Sequence, residues 1–413
     1  MKTVDGSVIQ RLAREYGTPV YVYDAGVIRQ RIRALRRFDL IRFAQKANSN
    51  IHMLRLMRSE GVLVDATSAG ELRRALAAGY SGNGDPAAVV YTADVLSDEV
   101  LELVVKHGIP VNAGSTDMLG QLGRRHPSHR VWLRINPGFG HGHSRKTNTG
   151  GEWSKHGIWH EYAHRALQCI EEYQLRLVGL HMHIGSGSDF DHLKGVCEAM
   201  VNQVAALKVD IASISGGGGL PIPYRDDESP FDTDGFFRLW HQARGRIEEI
   251  VGHGVSLEIE PGRYLVGEAG LLIAEVRATK LVGANRFVLV DAGFDNLLRP
   301  ALYGSHHAIS AVKRNGEAAT GPAQATVVGG PLCEAGDLFT QDDSGLVVPV
   351  DLPAVKVGDY LVFHDAGAYA SAMASNYNSR PLAPEVLIDG GEPRLIRRRQ
   401  TIDDLLELEA FDG

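Results

Sequence analysis

This sequence contains few cysteines. Its three cysteines, Cys169, Cys197 and Cys333, are odd in number and widely spaced, and none belongs to a Cys-x-x-Cys pair. Such a pattern does not indicate a disulfide framework. The N-terminus also lacks the charged-then-apolar leader that is typical of exported proteins. We therefore expect a protein of the reducing cytoplasm.

Long hydrophobic runs and net positive charge are missing as well. No apolar run approaches the length needed to cross a bilayer, so we expect no membrane insertion. The formal net charge of −7 argues against broad nucleic-acid binding, because proteins that follow a phosphate backbone carry a basic surface. These absences favour a partner that is a small molecule rather than a membrane or a nucleic acid.

Short apolar runs, mostly followed by helix-like stretches, recur eight times between residues 40 and 263. Alternating strands and helices build a parallel sheet, and eight such units over roughly 220 to 250 residues predict a closed (β/α)8 barrel, here over residues 30–265. The eight runs are Ile41–Ala44, Val62–Asp65, Val89–Thr92, Ile109–Asn112, Val131–Ile135, Val178–Ile184, Ile211–Ser215 and Leu257–Glu260.

Beyond Arg263 the pattern changes to β-rich segments without long helices between them. This change predicts a second, mostly antiparallel β domain. The strand-like Pro19–Tyr23 precedes the barrel, so we expect a discontinuous domain made of residues 1–29 and 266–413. Its other predicted strands are Leu271–Val282, Arg286–Val290, Ala325–Val328, Tyr360–His364, Glu385–Ile388 and Arg394–Arg397.

A lysine ends the first barrel run. Active sites of such barrels form at the carboxyl ends of the strands, and Lys46 follows directly after Phe43, Ala44 and Gln45. A lysine at that point is expected to lose solvation, which lowers its pKa and favours the neutral amine that forms an imine. Taken alone, Lys46 is better explained as a surface lysine whose charged end reaches solvent.

Polar and glycine residues also close three later runs. His181 and His183 alternate onto one face at the sixth run, and Ser186 follows; a third metal ligand at suitable spacing is missing, so stacking on a flat cofactor is favoured over zinc. The glycine run from Gly216 to Gly219 could cradle a phosphate or form a tight turn. Glu260 could hold a pyridine nitrogen protonated, and Arg263 could meet a phosphate. Their joint occurrence at strand ends favours a pyridoxal-phosphate site.

With these residues, the chain resembles the fold-type III pyridoxal-phosphate decarboxylases, and among them the bacterial diaminopimelate decarboxylases. The similarity runs almost from end to end, and together the motifs are highly specific. The matching stretches are Phe43–Asn48, His181–Ser186, Glu260–Arg263, Asp291–Phe294, Arg299–Tyr303, Pro331–Glu334, Gly336–Asp337 and Asn376–Pro381.

The resemblance implies a set of residues that bind the cofactor. Lys46 would hold pyridoxal phosphate as an imine, His183 would stack on its ring, and Glu260 would partner the ring nitrogen. The cofactor phosphate would be bound by a group of residues from four segments, namely Ser186, Gly217, Gly218, Gly219, Gly262, Arg263 and Tyr369.

The resemblance also implies how an amino-acid substrate is handled. Arg299 and Tyr303 match the segment that grips the distal end of the substrate, with Arg263 and Tyr369 as further contacts. Glu334 matches a residue that recognises the distal ammonium, and Cys333 matches the residue that protonates the intermediate after CO2 leaves. In the family the last two residues reach the site from the other subunit, which implies a homodimer with sites at its interface.

The implied reaction is decarboxylation of meso-2,6-diaminopimelate to L-lysine, the last step of lysine biosynthesis. Two departures from the family pattern leave the fine substrate preference open: Ala335 stands where serine is usual, and Ser305–Ala308 differs from the usual Tyr-His-His-Ile. A related decarboxylase of another diacid or citryl-type amino acid is the main alternative. An amino-acid racemase is disfavoured by Glu260, and a non-catalytic homologue is disfavoured because Lys46 and Cys333 are both present.

The loop from Pro137 to Gly157 is long for a connection between a strand and a helix, and it is rich in glycine and basic residues, including His141, His143, Lys146 and Lys155. It is interpreted as a mobile lid or as a plain solvated loop.

Overall fold

A computed structural model of the chain describes residues 5–142, 148–186 and 189–409. It forms two compact units. The barrel unit comprises Gln30–Pro221 and Phe231–Leu265, and the β-rich unit comprises Met1–Arg29, Ile222–Pro230 and Val266–Gly413. The segment Ile222–Pro230 lies inside the interval 30–265 that the sequence assigned to the barrel, yet it packs with the β-rich unit.

Three elements precede the first barrel strand, namely α1 (Gly6–Tyr16), β1 (Val20–Asp24) and α2 (Ala25–Arg33). Strands and helices then alternate as predicted. The barrel strands, with a two-residue strand β7, are β2 (Leu40–Ala44), β3 (Leu63–Ala66), β4 (Val89–Ala93), β5 (Val111–Ala113), β6 (Arg130–Asn136), β7 (Ile158–Trp159), β8 (Arg176–His181), β9 (Ser213–Ser215) and β10 (Ser256–Ile259).

The barrel strands pair in the order β5-β4-β3-β2-β10-β9-β8-β6, and β5 pairs with β6 to close the ring. All of these pairs are parallel. The predicted closed eight-stranded barrel is confirmed. The short strand β7 pairs in parallel with Ile135 and Asn136, the last two residues of β6. It was not expected from the sequence.

Several helices between the barrel strands begin at side chains that cap them. Ser68, Ser97 and Ser115 each follow a strand and accept a hydrogen bond from a backbone N–H three residues later, which satisfies one of the free donors at a helix start. The helices are α3 (Ile51–Ser59), α4 (Ala69–Ala77), α5 (Asp98–His107), α6 (Thr116–Arg125), α7 (Ala163–Glu172), α8 (Phe190–Leu207), α9 (Thr233–Val251) and α10 (Arg263–Val266).

The sixth predicted run ends earlier than expected. Strand β8 ends at His181: the Met182 N–H still bonds the Ser215 carbonyl of β9, whereas the carbonyl of Ile184 accepts from the backbone N–H groups of His141 and Thr149. Consequently the expectation that His181 and His183 alternate on one strand face is wrong. His183 and Ser186 lie in the loop after the strand, and Glu260 likewise follows the last residue of β10.

The β-rich unit contains one large sheet. Its strands pair in the order β15-β14-β12-β11-β1-β17-β18, and β16 pairs with β11 and β13. The strands after the barrel are β11 (Gly270–Val282), β12 (Asn285–Val290), β13 (Ile309–Val312), β14 (Gln324–Gly329), β15 (Val350–Leu352), β16 (Tyr360–Phe363), β17 (Glu385–Asp389) and β18 (Glu392–Arg397), with short helices α11 (Arg299–Tyr303) and α12 (Ile402–Leu406).

The mostly antiparallel character of this sheet is confirmed, although β1 pairs with β17 and β12 with β14 in parallel. The N-terminal strand joins it as expected. Strands β13 and β15 were missed, and both are short. Helix α1 buries Ile9 and Leu12 against a cluster that includes Val22, Ile273 and Val362, which ties the start of the chain to this unit.

The described residues include no helix that is both long and apolar enough to span a membrane. All three cysteines are free thiols. Cys197 is buried, Cys169 is half-buried and Cys333 is exposed.

Candidate active site

Lys46 lies in a 3-10 turn, Gln45–Ala47, directly after strand β2. Its side chain is exposed, so the expected loss of solvation is wrong for this chain, because the turn carries the side chain clear of the strand. The lysine nevertheless sits among titratable groups. Its positive charge acts to lower the pKa of Asp65, Glu71 and His183.

Glu260 is buried, with 8% of its surface exposed, and both of its oxygens are hydrogen bonded. His181 Nε2 lies 2.8 Å from Oε2, and the Ser215 hydroxyl lies 3.1 Å from Oε1. Burial alone raises the pKa of this acid, but the charge and hydrogen bond of His181, with smaller contributions from Arg42 and Ser215, lower it to about 2. Glu260 is therefore an anion at neutral pH, and His181, which the sequence paired with His183, is its partner.

The run Gly216–Gly219 follows β9, and close contacts with neighbouring atoms leave no room there for side chains. Gly217 and Gly219 have positive φ angles of 63° and 93°. A Cβ on Gly217 would lie 2.6 Å from the Cβ of His183, and one on Gly218 would lie 2.5 Å from the Glu260 carbonyl oxygen. The run thus brings bare backbone against two of the predicted site residues.

The turn after β10 links the remaining barrel residues. Arg263 is buried, and its Nη2 donates to the Ser186 hydroxyl at 3.2 Å, which joins two of the predicted phosphate ligands. Gly262 packs against the turn that carries Lys46, since a Cβ there would lie 3.1 Å from the Ala44 carbonyl oxygen and 3.2 Å from the Ala47 Cβ.

His183 is held as a neutral imidazole. Burial, together with the positive charges of Arg134 and Lys46, lowers the pKa of His183 well below its usual value. The carbonyl of His183 accepts from the Thr149 hydroxyl at 3.0 Å, which fixes its backbone. A neutral ring fits stacking on a flat aromatic group.

Two charged residues of the barrel interior escaped the sequence analysis. Asp65 is the penultimate residue of β3, Arg134 lies within β6, and both are buried. Burial and the charge of Glu260 raise the pKa of Asp65 well above its usual value. Burial also lowers the pKa of Arg134. The signal that could have found them is a charged residue inside an otherwise apolar strand.

The described residues of the loop from Pro137 to Gly157 are held by hydrogen bonds at several points. His156 Nδ1 lies 2.5 Å from Asp94 Oδ2, and the Gly157 N–H donates to Asp94 Oδ1. Asn136 accepts from the Gly138 and Gly151 backbone N–H groups. His143 and Lys146 lie outside the described residues, and the lid interpretation stays a prediction.

The predicted distal-end residues belong to the β-rich unit. Arg299 and Tyr303 form the first and last residues of α11, as their four-residue spacing suggested. Arg299 is 4% exposed, and its guanidinium donates to His307 Nε2 at 2.8 Å and to the Ser305 hydroxyl at 3.1 Å. The Tyr224 ring lies under it, 4.5 Å from the guanidinium carbon. Tyr224 and His307 were not singled out from the sequence.

The other residues predicted to contact substrate are more open. Cys333 and Glu334 are both exposed. The Cys333 backbone N–H donates to Asn378 Oδ1 at 2.9 Å, which links two of the matching motifs. Tyr369 is half-buried and has a φ of 58°, a backbone conformation that is uncommon outside glycine.

Comparison with known proteins identifies the family. A family model described as "Pyridoxal-dependent decarboxylase, pyridoxal binding domain" matches residues 25–267, more than half of the chain. Diaminopimelate decarboxylase of Escherichia coli (strain K12) is 59% identical over 400 residues, which cover 97% of this chain and 95% of that protein. This chain belongs to the diaminopimelate decarboxylase family.

Solved structures agree with this assignment to the diaminopimelate decarboxylases. A crystal structure of diaminopimelate decarboxylase has a TM-score of 0.97 and 57% identity, covering 99% of this chain and 97% of that one. Diaminopimelate decarboxylase from Helicobacter pylori complexed with L-lysine has a TM-score of 0.85 and 30% identity, covering 97% and 98%. The predicted family, enzyme class and cofactor are confirmed.

The residues at the barrel mouth fit pyridoxal phosphate, the cofactor of diaminopimelate decarboxylases. Glu260 is an ionised carboxylate, His183 is a neutral ring, and the glycine run forms a cradle that a side chain would fill. Within the described ranges, potential metal ligands gather elsewhere, at His141, Asp189 and His192.

Proposed function

We propose that this chain removes a carboxyl group from meso-2,6-diaminopimelate to yield L-lysine and CO2, the last step of lysine biosynthesis. The observation that carries the proposal is the buried Glu260, held as an anion by His181 and Ser215 at the end of β10. The 59% identity to a diaminopimelate decarboxylase and the relative complexed with L-lysine support the choice of substrate.

Four barrel segments, with Tyr369 of the β-rich unit, would hold the cofactor in this proposal. Lys46 would hold it covalently through Nζ, and His183 would stack on its ring. Arg263, which already donates to the Ser186 hydroxyl, supplies the positive charge for its phosphate. Backbone N–H groups of Gly217, Gly218, Gly219 and Gly262, and the Tyr369 hydroxyl, complete that phosphate site.

When bound, pyridoxal phosphate provides the electron sink that accepts the electron pair left by departing CO2. Glu260 serves that chemistry by holding a proton on the ring nitrogen, because a carboxylate with a lowered pKa stabilises a neighbouring positive charge. His181 and Ser215 keep the carboxylate in one orientation. A racemase is served instead by a partner that leaves this nitrogen unprotonated.

The distal end of the substrate is recognised by residues of the β-rich unit. Arg299 binds the second carboxylate by a charge-assisted contact, and Tyr303 adds a hydroxyl from the last residue of the same short helix. Glu334 binds the distal ammonium. L-Lysine lacks the distal carboxylate, so the product is held more weakly than the substrate.

Cys333 returns a proton to the carbon from which CO2 has left. Both Cys333 and Glu334 are exposed in the single chain, so they are accessible to a second copy. We infer a homodimer in which each subunit supplies these two residues to its partner's site. In this arrangement residues 30–265 bind the cofactor, whereas residues 1–29 and 266–413 carry substrate and interface residues. The cytoplasm is the proposed location.

A substrate panel tests the proposed reaction. We expect kcat/KM for meso-diaminopimelate to exceed that for L-lysine, L-ornithine and a citryl-type diacid, with CO2 release as the readout. A preference for the citryl-type compound would leave the enzyme class intact and overturn the substrate. Racemisation of an amino acid without CO2 release would overturn the reaction itself.

The shared site is tested by mixing two inactive variants. If Lys46→Ala and Cys333→Ala chains form mixed dimers, one site in each mixed dimer retains both native residues. Random pairing then restores about a quarter of the native specific activity. Mixtures that stay inactive, although mixed dimers are isolated by two affinity tags, would contradict the exchange of Cys333 between subunits.

A further inference from the structure

We propose that His307 and Tyr224 are positioning residues that set Arg299 for the distal carboxylate of the substrate. The inference rests on the proposed function, because it concerns how the same site selects a diacid. The sequence motifs gave neither residue a role. His307 lies in the stretch Ser305–Ala308, whose sequence departs from the family pattern.

The hydrogen bonds of His307 define one tautomer. An arginine can only donate, so the His307 Nε2 that lies 2.8 Å from Arg299 Nη1 must accept. The proton of the ring is then on Nδ1, which lies 2.7 Å from the carbonyl oxygen of His364, a group that can only accept. Both contacts therefore require the same neutral imidazole, anchored to the backbone after β16 and aimed at the guanidinium.

Tyr224 fixes the remaining direction of the guanidinium. Its ring centroid lies 4.5 Å from the guanidinium carbon of Arg299 and 5.5 Å from the ring centroid of His307, with an angle of 73° between the two ring planes. A ring below the plane restricts tilting, while His307 and Ser305 restrict rotation within the plane. Tyr224 comes from Ile222–Pro230, the segment that packs with the β-rich unit.

None of these three contacts places a negative charge beside Arg299. A neutral imidazole, a hydroxyl and a phenol ring carry no negative charge, whereas a carboxylate in the same place would compete with the substrate for the guanidinium. Arg299 is also 4% exposed, so its charge acts in a shielded environment, where a carboxylate contact is strongest. The arrangement is suited to selecting a second carboxylate.

The test compares variants that keep or remove each contact. His307→Gln keeps an acceptor near the position of Nε2, and His307→Leu removes it. Tyr224→Phe keeps the ring, and Tyr224→Leu removes it. His129→Leu is the matched control, because His129 is another buried histidine, 4% exposed, that bonds a backbone carbonyl at 2.8 Å in the barrel unit.

Binding of two acids to the holoenzyme gives the decisive readout. Pimelate has a carboxylate at each end of a seven-carbon chain, and heptanoate has only one. By calorimetry we expect His307→Leu and Tyr224→Leu to reduce the preference for pimelate over heptanoate by about tenfold, with KM for meso-diaminopimelate raised about as much and kcat changed less. His307→Gln and Tyr224→Phe should retain most of the native preference.

The outcomes separate the two proposals. A native enzyme that does not decarboxylate meso-diaminopimelate overturns the proposed function. A native enzyme that does so, with His307→Leu and Tyr224→Leu variants that still prefer pimelate as the native protein does, overturns the positioning. Equal losses for both acids, matched by His129→Leu, also overturn it, because they indicate a general structural defect. If His307→Leu does not fold, the Tyr224 pair decides.

Discussion

The buried acids at the barrel strand ends and the buried Arg299 of the β-rich unit have different kinds of partner. In the barrel, burial raises the pKa of Glu260 but His181, Arg42 and Ser215 lower it, whereas burial and the charge of Glu260 raise the pKa of Asp65. In the β-rich unit, Arg299 is oriented by uncharged His307, Ser305 and Tyr224. The first arrangement sets protonation states, as cofactor chemistry requires. The second orients a positive charge.

Among the barrel residues, substitution of Lys46 is expected to have the largest effect on activity. We expect Lys46→Ala to lose the absorbance of the lysine-bound cofactor and to lower kcat by about 10⁴-fold or more, the scale seen when a covalent catalytic group is removed. Lys106→Ala, which changes an exposed lysine in the last turn of α5, should behave as the native protein. A borohydride-reducible adduct that persists in Lys46→Ala would show that another lysine binds the cofactor.

On the β-rich side, the largest effect is expected at Cys333. Cys333→Ala should bind the cofactor normally, yet kcat should fall by about 10² to 10⁴-fold, because a positioned general acid is lost. Part of the turnover should be diverted to abortive transamination. Cys169→Ala, a half-buried cysteine of α7, is the control. Native kinetics and product stereochemistry in Cys333→Ala would remove the proton-donor assignment.

Arg299→Ala tests whether the guanidinium of this residue binds the distal carboxylate of the substrate. Loss of a shielded charge-assisted contact costs about 2 to 5 kcal/mol, which lowers kcat/KM for meso-diaminopimelate by about 30- to 4,000-fold. The activity on L-lysine should change little. Arg286→Ala, a residue of the same unit that bonds Gln324 and Thr326, is the control. Unchanged discrimination between the two compounds would assign Arg299 a structural function.

The smallest expected effect concerns Asp65 and the pH dependence of stability. Because the pKa of Asp65 is raised in the folded protein, the unfolded chain loses this proton first as pH rises above 3.8, the ordinary pKa of an aspartate. Folding therefore becomes less favourable with increasing pH at this position, and Asp65→Asn abolishes that loss.

Thermal unfolding of the holoenzyme between pH 4 and pH 7 measures the Asp65 effect. We expect the native Tm to fall relative to that of Asp65→Asn by about 2 to 5 °C as pH rises. Asp351→Asn, which changes an exposed residue, should keep a constant difference from the native protein. A native Tm that rises relative to Asp65→Asn would mean that Asp65 is ionised and stabilising.

The sequence by itself determined the order of strands and helices, because hydrophobic periodicity reports local burial. It also placed Lys46, Glu260 and Arg263 just after strands, where a parallel barrel gathers its polar residues. The motif resemblance identified the family. The short strands β13 and β15 escaped because runs of three or four residues carry little periodicity.

Only the tertiary structure decided which polar side chains meet. His181 bonds Glu260 across 79 positions of sequence, and the exposure of Lys46 depends on the turn that carries it. Tyr224 reaches Arg299 from a segment that the sequence assigned to the other domain. Hydrophobic periodicity predicts that a residue is buried, but it does not predict which residues that side chain contacts. Those contacts depend on strand register, barrel closure and the path of loops.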